Sequence, residues 1–82
     1  ANQLYEEGND FYRNKDYQAA VNSFTEAIAL NPTDDRFYNV RGSAFMQLDN
    51  YANALADYNE AIRLNPTVAK YFYNRANANY KL

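Results

Sequence analysis

Three features of the sequence predict an all-α fold: five antiparallel helices wound as a helical-repeat superhelix. The first is internal repetition. Ala27-Ile28-Ala29-Leu30-Asn31-Pro32-Thr33 recurs as Ala61-Ile62-Arg63-Leu64-Asn65-Pro66-Thr67, a shift of 34 residues. The same shift lays Gly8 on Gly42, Phe11 on Phe45, Tyr17 on Tyr51, Ala20 on Ala54, Phe24 on Tyr58 and Glu26 on Glu60. The second feature is period: apolar residues recur at spacings of three and four, and strand-like alternation is absent. The third is punctuation, because Pro32 and Pro66 lack an N–H and disfavour helix in the residue before them.

The elements follow in chain order. A first helix over Asn2–Asn14 puts Leu4, Gly8, Phe11 and Tyr12 near one stripe. Asp16 suits an N-cap, and a second helix over Tyr17–Leu30 carries Ala20, Phe24, Ala27, Ile28 and Leu30 as the matching stripe. After Pro32, with Thr33 as a candidate cap, the shift predicts a third helix over Asp35–Leu48. Asn50 is then the expected cap of a fourth over Tyr51–Leu64. Past Pro66, with Thr67 again a candidate cap, a fifth is expected over Ala69–Lys81. The result is a single domain of two complete repeats, 1–34 and 35–68, and the first helix of a third, 69–82. Gly8, Ala20 and Ala27 fall where helices cross closely, and Phe11, Tyr17, Phe24, Phe45, Tyr51 and Tyr58 fill the wider gaps.

Composition narrows the function. The 82 residues are 48% hydrophobic and 17% aromatic, too apolar for a disordered tail, while with a mean hydropathy of -0.74 and no apolar run approaching 18 residues no membrane span is expected. Eight cations against ten carboxylates give a net charge of -2, which argues against broad capture of nucleic acid. With no Cys and no His, disulfides, thiolate nucleophiles, imidazole bases and most zinc or copper sites are excluded, and no cofactor is expected. The pairs Glu6-Glu7 and Asp34-Asp35 suit helix N-termini or solvent better than a metal or acid–base role. Starting at Ala1 with no signal peptide, the chain reads as a piece of a longer protein, and a cytoplasmic setting is the expectation.

Gly8, Phe11, Ala20, Phe24, Ala27 and Pro32, repeated as Gly42, Phe45, Ala54, Tyr58, Ala61 and Pro66, resemble the tetratricopeptide repeat (TPR) family over the whole chain. The family's Trp-like position is Leu4, Tyr38 and Phe72. Its usual Leu before the Gly is replaced by Glu7, Arg41 and Arg75. In the last helix Ala76 stands for the Gly and Asn79 for an aromatic. The resemblance implies a non-catalytic module whose first helices line a concave groove for a peptide or partner protein.

On that basis the groove face carries Asn2, Tyr5, Asn9, Tyr12 and Arg13, then Arg36, Asn39, Ser43, Met46 and Gln47, then Lys70, Tyr73, Asn77, Tyr80 and Lys81. No carboxylate occurs in this set, while Arg13, Arg36, Lys70 and Lys81 are cationic, so an acidic ligand is expected. Asn9, Asn39 and Asn77 suit a ligand's peptide backbone, and Tyr5 and Tyr73 supply rigid contacts, with Lys70, Asn9 and Tyr73 as the expected anchor.

A subgroup of the family grips chaperone C-termini with a two-carboxylate clamp. Its five positions fall here on Tyr5, Asn9, Val40, Lys70 and Asn74, of which only Asn9 and Lys70 agree, so that clamp is not expected. Tyr71-Phe72-Tyr73 is not a base-stacking platform, since consecutive helical residues point about 100° apart; Phe72 is expected in the core. The alternative to groove binding is self-association through apolar surface around Phe72 and Leu82, at the open end of the stack.

Overall fold

The computed structural model describes residues 1–82 and holds five helices: α1 Asn2–Arg13, α2 Tyr17–Leu30, α3 Asp35–Gln47, α4 Tyr51–Leu64 and α5 Ala69–Lys81. Each packs on its neighbour in sequence, and the first helices of successive repeats also meet, α1 with α3 and α3 with α5. The extents are 30 × 24 × 17 Å. No helix is long and apolar enough to cross a membrane.

Equivalent turns close the two repeats. Lys15 and Asp49 take left-handed backbone angles, φ 65° and 59°, just past the ends of α1 and α3. Behind them the Asp16 and Asn50 N–H groups reach the Phe11 and Phe45 carbonyls at 2.8 and 2.9 Å, the long-range bond of a Schellman end. Chain reversal within each repeat is thus satisfied by backbone alone, without the glycine usual at that position.

The caps depart from expectation in three places. Asp16 accepts from the Ala19 N–H at 3.4 Å, as predicted. Asn50 makes no side-chain cap bond. Thr33 and Thr67 turn back and donate their hydroxyls to the Asn31 and Asn65 side chains, at 3.2 and 2.7 Å. The cap of α3 is Asp34, which accepts from the Arg36 N–H at 3.1 Å, and α5 starts at Val68 with no side-chain cap.

Small residues set the helix spacing. Ala20, Ala27, Ala54 and Ala61 are fully buried. A Cβ placed on Gly8 would lie 2.3 Å from the Phe24 ring, and one on Gly42 would lie 2.8 Å from the Tyr58 ring. Each glycine therefore seats the aromatic of the following helix, and burying such a ring stabilises the fold by about 2 to 3 kcal/mol.

Two aromatic assignments change. Phe11 and Phe72, expected inside, are 38% and 40% exposed, while Phe37 and Tyr71 are 0% and 4% exposed. Phe37 and Tyr71 occupy equivalent positions on the side of a first helix that meets the preceding repeat, α2 against α3 and α4 against α5. The residue at that position in the first repeat is Gln3, which is exposed. Asp10, Ala44 and Ala78 show the same pattern: the alanines are fully buried and the aspartate is in solvent. Phe45 packs on the clusters around both Ala20 and Ala54, whereas no second helix flanks Phe11 on one side or Phe72 on the other.

A charged joint holds the two helices of the second repeat together and reaches back to the first. Arg41 donates from Nε and Nη2 to the two carboxylate oxygens of Asp57, at 2.8 and 2.7 Å, and from Nη1 to the Thr25 hydroxyl at 3.2 Å. Its guanidinium lies near the Phe45 and Tyr38 rings, 5.7 and 5.9 Å from their centroids. One side chain thereby ties α3 to α4 and to α2. Burial pushes the Asp57 carboxyl above its ordinary value, against the opposing pull of the Arg41 hydrogen bonds and charge.

Candidate functional site

The groove is built by α1, α3 and α5, which lie side by side with the same flank facing out. Two adjoining hollows mark it. One, of about 250 Å³, is lined by Asn9, Tyr12, Asn39, Val40, Ser43, Lys70 and Asn74. The other, of about 230 Å³, continues along Tyr12, Ser43, Met46, Gln47, Tyr58, Asn74 and Asn77. Of the residues expected on this flank, Asn9, Tyr12, Asn39, Ser43, Met46, Gln47, Lys70 and Asn77 therefore converge on one surface.

Local structure positions each. The Asn74 amide donates to the Asn39 side-chain oxygen at 2.9 Å, linking α5 to α3 across the floor. Ser43 and Tyr58 share a hydroxyl hydrogen bond of 3.2 Å, so the end of the Tyr58 ring that passes over Gly42 reaches the groove as a polar tip. The Tyr12 ring stands edge-on to Tyr17, with centroids 5.3 Å apart. Amides and hydroxyls thus dominate the lining, and both groups can donate and accept, which suits a peptide main chain.

The other expected residues lie elsewhere. Tyr5 is half-buried, its ring 5.3 Å from Phe37 and 6.2 Å from Phe24, and serves as packing beneath the groove. Asn2, Arg13 and Lys81 are exposed and line neither hollow. Tyr73 and Tyr80 are 69% and 88% exposed and also lie outside both, so Tyr73 does not share the hollow that holds Lys70 and Asn9.

Charge is distributed differently from the sequence expectation of four unopposed cations. Arg13 pairs with Asp10 on its own helix. Arg36 is clasped by the helix cap, from Nε to Asp34 Oδ1 at 3.0 Å and from Nη2 to Oδ2 at 2.7 Å, and its guanidinium sits 5.0 Å above the Tyr5 ring. The Arg36 hydrogen bond lowers the Asp34 pKa, and Asp34 raises that of Arg36. Sequence spacing hid both pairs because Asp10 and Asp34 leave the groove face yet reach back to it. Lys70 is the only charged side chain lining either hollow.

Asn74, Val40 and Tyr58 were missing from the expected lining. Asn74 was legible as one of the clamp-equivalent positions. Four of those five, Asn9, Val40, Lys70 and Asn74, meet in one hollow, and the fifth, Tyr5, lies in the packing beneath. No three acidic side chains come together as a metal site.

Stacked helix pairs with an amide-lined concave face define a helical-repeat protein, and comparison with known proteins gives the family. The tetratricopeptide repeat profile matches residues 5–69 and, overlapping, 44–82; the chain belongs to that family. It is 44% identical over 43 residues to Hsp70-Hsp90 organizing protein 2 of Arabidopsis thaliana, a stretch covering 52% of this chain and 8% of that protein. Among solved structures it resembles the first TPR of Spaghetti (RPAP3) bound to the HSP90 peptide SRMEEVD, with a TM-score of 0.93 and 28% identity over 95% of this chain and 62% of that one. It also resembles the TPR2B domain of yeast Sti1 in complex with an Hsp70 peptide, with a TM-score of 0.94 and 30% identity over 96% and 63%. The chain thus spans less than a tenth of that curated relative and just under two thirds of these structures.

Proposed function

We propose that this domain is a non-catalytic interaction module that holds an extended, acidic peptide segment in the groove of α1, α3 and α5. The observation that carries the reading is the lining itself: Asn9, Asn39, Asn74 and Asn77 in a row of amides, with Lys70 as the single charge. The amides meet the peptide main chain and Lys70 meets a carboxylate. Two structural relatives support the choice of ligand class, since they hold HSP90 and HSP70 peptides and one of these, SRMEEVD, is acidic at its end.

The departures from the two-carboxylate clamp set the expected strength. Val40 brings no donor and Tyr5 is packed away, so one carboxylate is gripped firmly and a second is not. The test is a titration with SRMEEVD, its amidated form and a neutral peptide of equal length. Lys70→Glu should weaken the acidic peptide by about 1 to 3 kcal/mol and flatten its salt dependence, because opposite charge governs encounter and rejection of wrong ligands. Replacing Arg36 and Asp34 together by Gln and Asn should change little, since the two charges already neutralise each other. Equal binding by the Lys70→Glu variant and the parent would remove the groove from consideration.

A further inference from the structure

The floor and the rim of the groove offer different chemistry. Lys70 is exposed on α5 and makes no ion pair, so its ammonium serves the larger hollow from the rim. The floor is half-buried. There Asn74 and Asn39 are bonded to each other at 2.9 Å, and Val40, packed on the cluster that holds Ala20 and Phe24, brings no donor. The adjoining hollow contains only uncharged groups, the amides of Gln47, Asn74 and Asn77 among them. In the other direction Tyr71, next to Lys70 in the chain, gives its hydroxyl to Asp35 at 2.5 Å, and Arg36 is held by Asp34. Lys70 therefore has no second free cation on either side.

These features separate two ways of presenting a carboxylate. A chain terminus carries its carboxylate at the level of the main chain, where a bound peptide lies against the floor. It would meet Val40 and an amide pair already bonded to itself, and a charge taken from water without a partner costs far more than a neutral peptide group. A side-chain carboxylate instead projects toward the rim and reaches Lys70. The peptide groups on both sides of it then stay over the amides of Asn9, Asn39 and Asn77, which donate and accept. A C-terminal Asp would bring two carboxylates to one cation.

We infer, on the basis of the peptide-binding function proposed for α1, α3 and α5, that the groove takes an internal segment of its partner, in which one Asp or Glu stands between uncharged residues, and not an acidic C-terminal tail. Neighbouring acids are disfavoured, because a second carboxylate finds Asp35 on one side of Lys70 and neutral amides on the other. SRMEEVD, the peptide of one structural relative, has paired acids and a final Asp, and is the weaker ligand here.

Four heptapeptides of one length, titrated into the 82-residue chain and followed by its backbone amide resonances, test this. Acetyl-SQMSEVS-amide carries one internal acid and should bind most tightly. Acetyl-SQMSQVS-amide has no charge, and acetyl-SQMSQVS with a free C-terminus has its single charge on the terminus; each should be weaker by roughly tenfold, as loss of one partner of a close charge pair is. Acetyl-SQMEEVS-amide, with paired acids, should be weaker than the single acid by about two- to fivefold. Lys70→Gln, at an exposed position, should weaken the single-acid peptide by about tenfold and leave the uncharged one unchanged. Asn77→Lys, also exposed and in the second hollow, should make the paired acids bind at least as tightly as the single one. If Lys70→Gln weakens the acidic peptides but the free-terminus or paired-acid peptide equals the single internal acid on the parent chain, the internal-segment reading is overturned while the groove function stands. The same holds if the paired acids gain nothing from Asn77→Lys. No binding of any peptide at millimolar concentration, or no effect of Lys70→Gln, overturns both.

Discussion

Removing the Asp57 carboxylate by Asp57→Ala tests what holds the two helices of the second repeat together. Asp57 is 4% exposed and fixes both Nε and Nη2 of Arg41. Breaking a buried ion pair by deleting one partner costs about 3 to 5 kcal/mol, because the remaining charge stays desolvated. Here the cost is at the lower margin or below it. The Arg41 side chain keeps 20% of its surface in water and retains Thr25 at 3.2 Å, so we expect a loss of about 2 to 3 kcal/mol. For a chain of this size that lowers Tm by about 10 to 20 °C. The double variant Arg41→Met, Asp57→Leu should lie much nearer the parent, since apolar residues of similar volume avoid the desolvation of both charges. Thermal unfolding followed by circular dichroism at neutral pH measures all three chains. If Asp57→Ala melts within a few degrees of the parent, or the double variant loses as much as the single one, the joint is solvated and the argument from burial fails.

Gly8→Ala should destabilise more than Gly42→Ala, because the new Cβ meets a fully buried Phe24 ring at 2.3 Å in one case and the Tyr58 ring at 2.8 Å in the other. The overpacking cost of about 1 to 3 kcal/mol is offset by about 1 kcal/mol of helix propensity. Urea unfolding decides the order, and two stabilised variants would disprove the close approach. Ala20→Leu and Ala54→Leu, both at fully buried positions, should each lose about 1 to 3 kcal/mol, and parental melting curves would refute the packing. The Arg36 hydrogen bond holds the Asp34 carboxyl below its ordinary 3.8, so its contribution is present above pH 3.8 and is lost as the pH falls through the lowered folded value. Asp34→Asn should remove that acid-labile part, and parallel Tm-against-pH curves for the two chains would show that the cap carries no such linkage.

The helices were legible because their signals are local. The prolines after α2 and α4 and the spacing of Leu4, Gly8, Ala20, Phe24 and Ala27 each constrain a few consecutive residues, and α2, α4 and α5 begin and end at their expected positions. The caps were harder, because a threonine can bond forward to a helix or backward to Asn31 or Asn65, and sequence adjacency does not choose between them. Phe37 and Tyr71 were missed for another reason. Burial on a first helix has two sources, the partner within the repeat and the preceding repeat, and the stripe of Leu4, Gly8 and Phe11 reflects only the first. Setting Gln3 against Phe37 and Tyr71, or Asp10 against Ala44 and Ala78, would have revealed the second.

By itself, the sequence determined the repeat, its period, the all-α architecture and the flank on which the groove residues lie. These follow from dihedral preferences and from the 3.6-residue turn, which act within a helix. Only the tertiary structure decided which of those residues share a surface and which of their charges are free. Asp34 folds back onto Arg36, Tyr5 sinks against Phe37, and Asn74 reaches Asn39 from the next repeat. Long side chains span several ångströms from their own helix face, and their partners come from other elements. Charge pairing and groove lining therefore depend on distances that exist only once the helices are stacked.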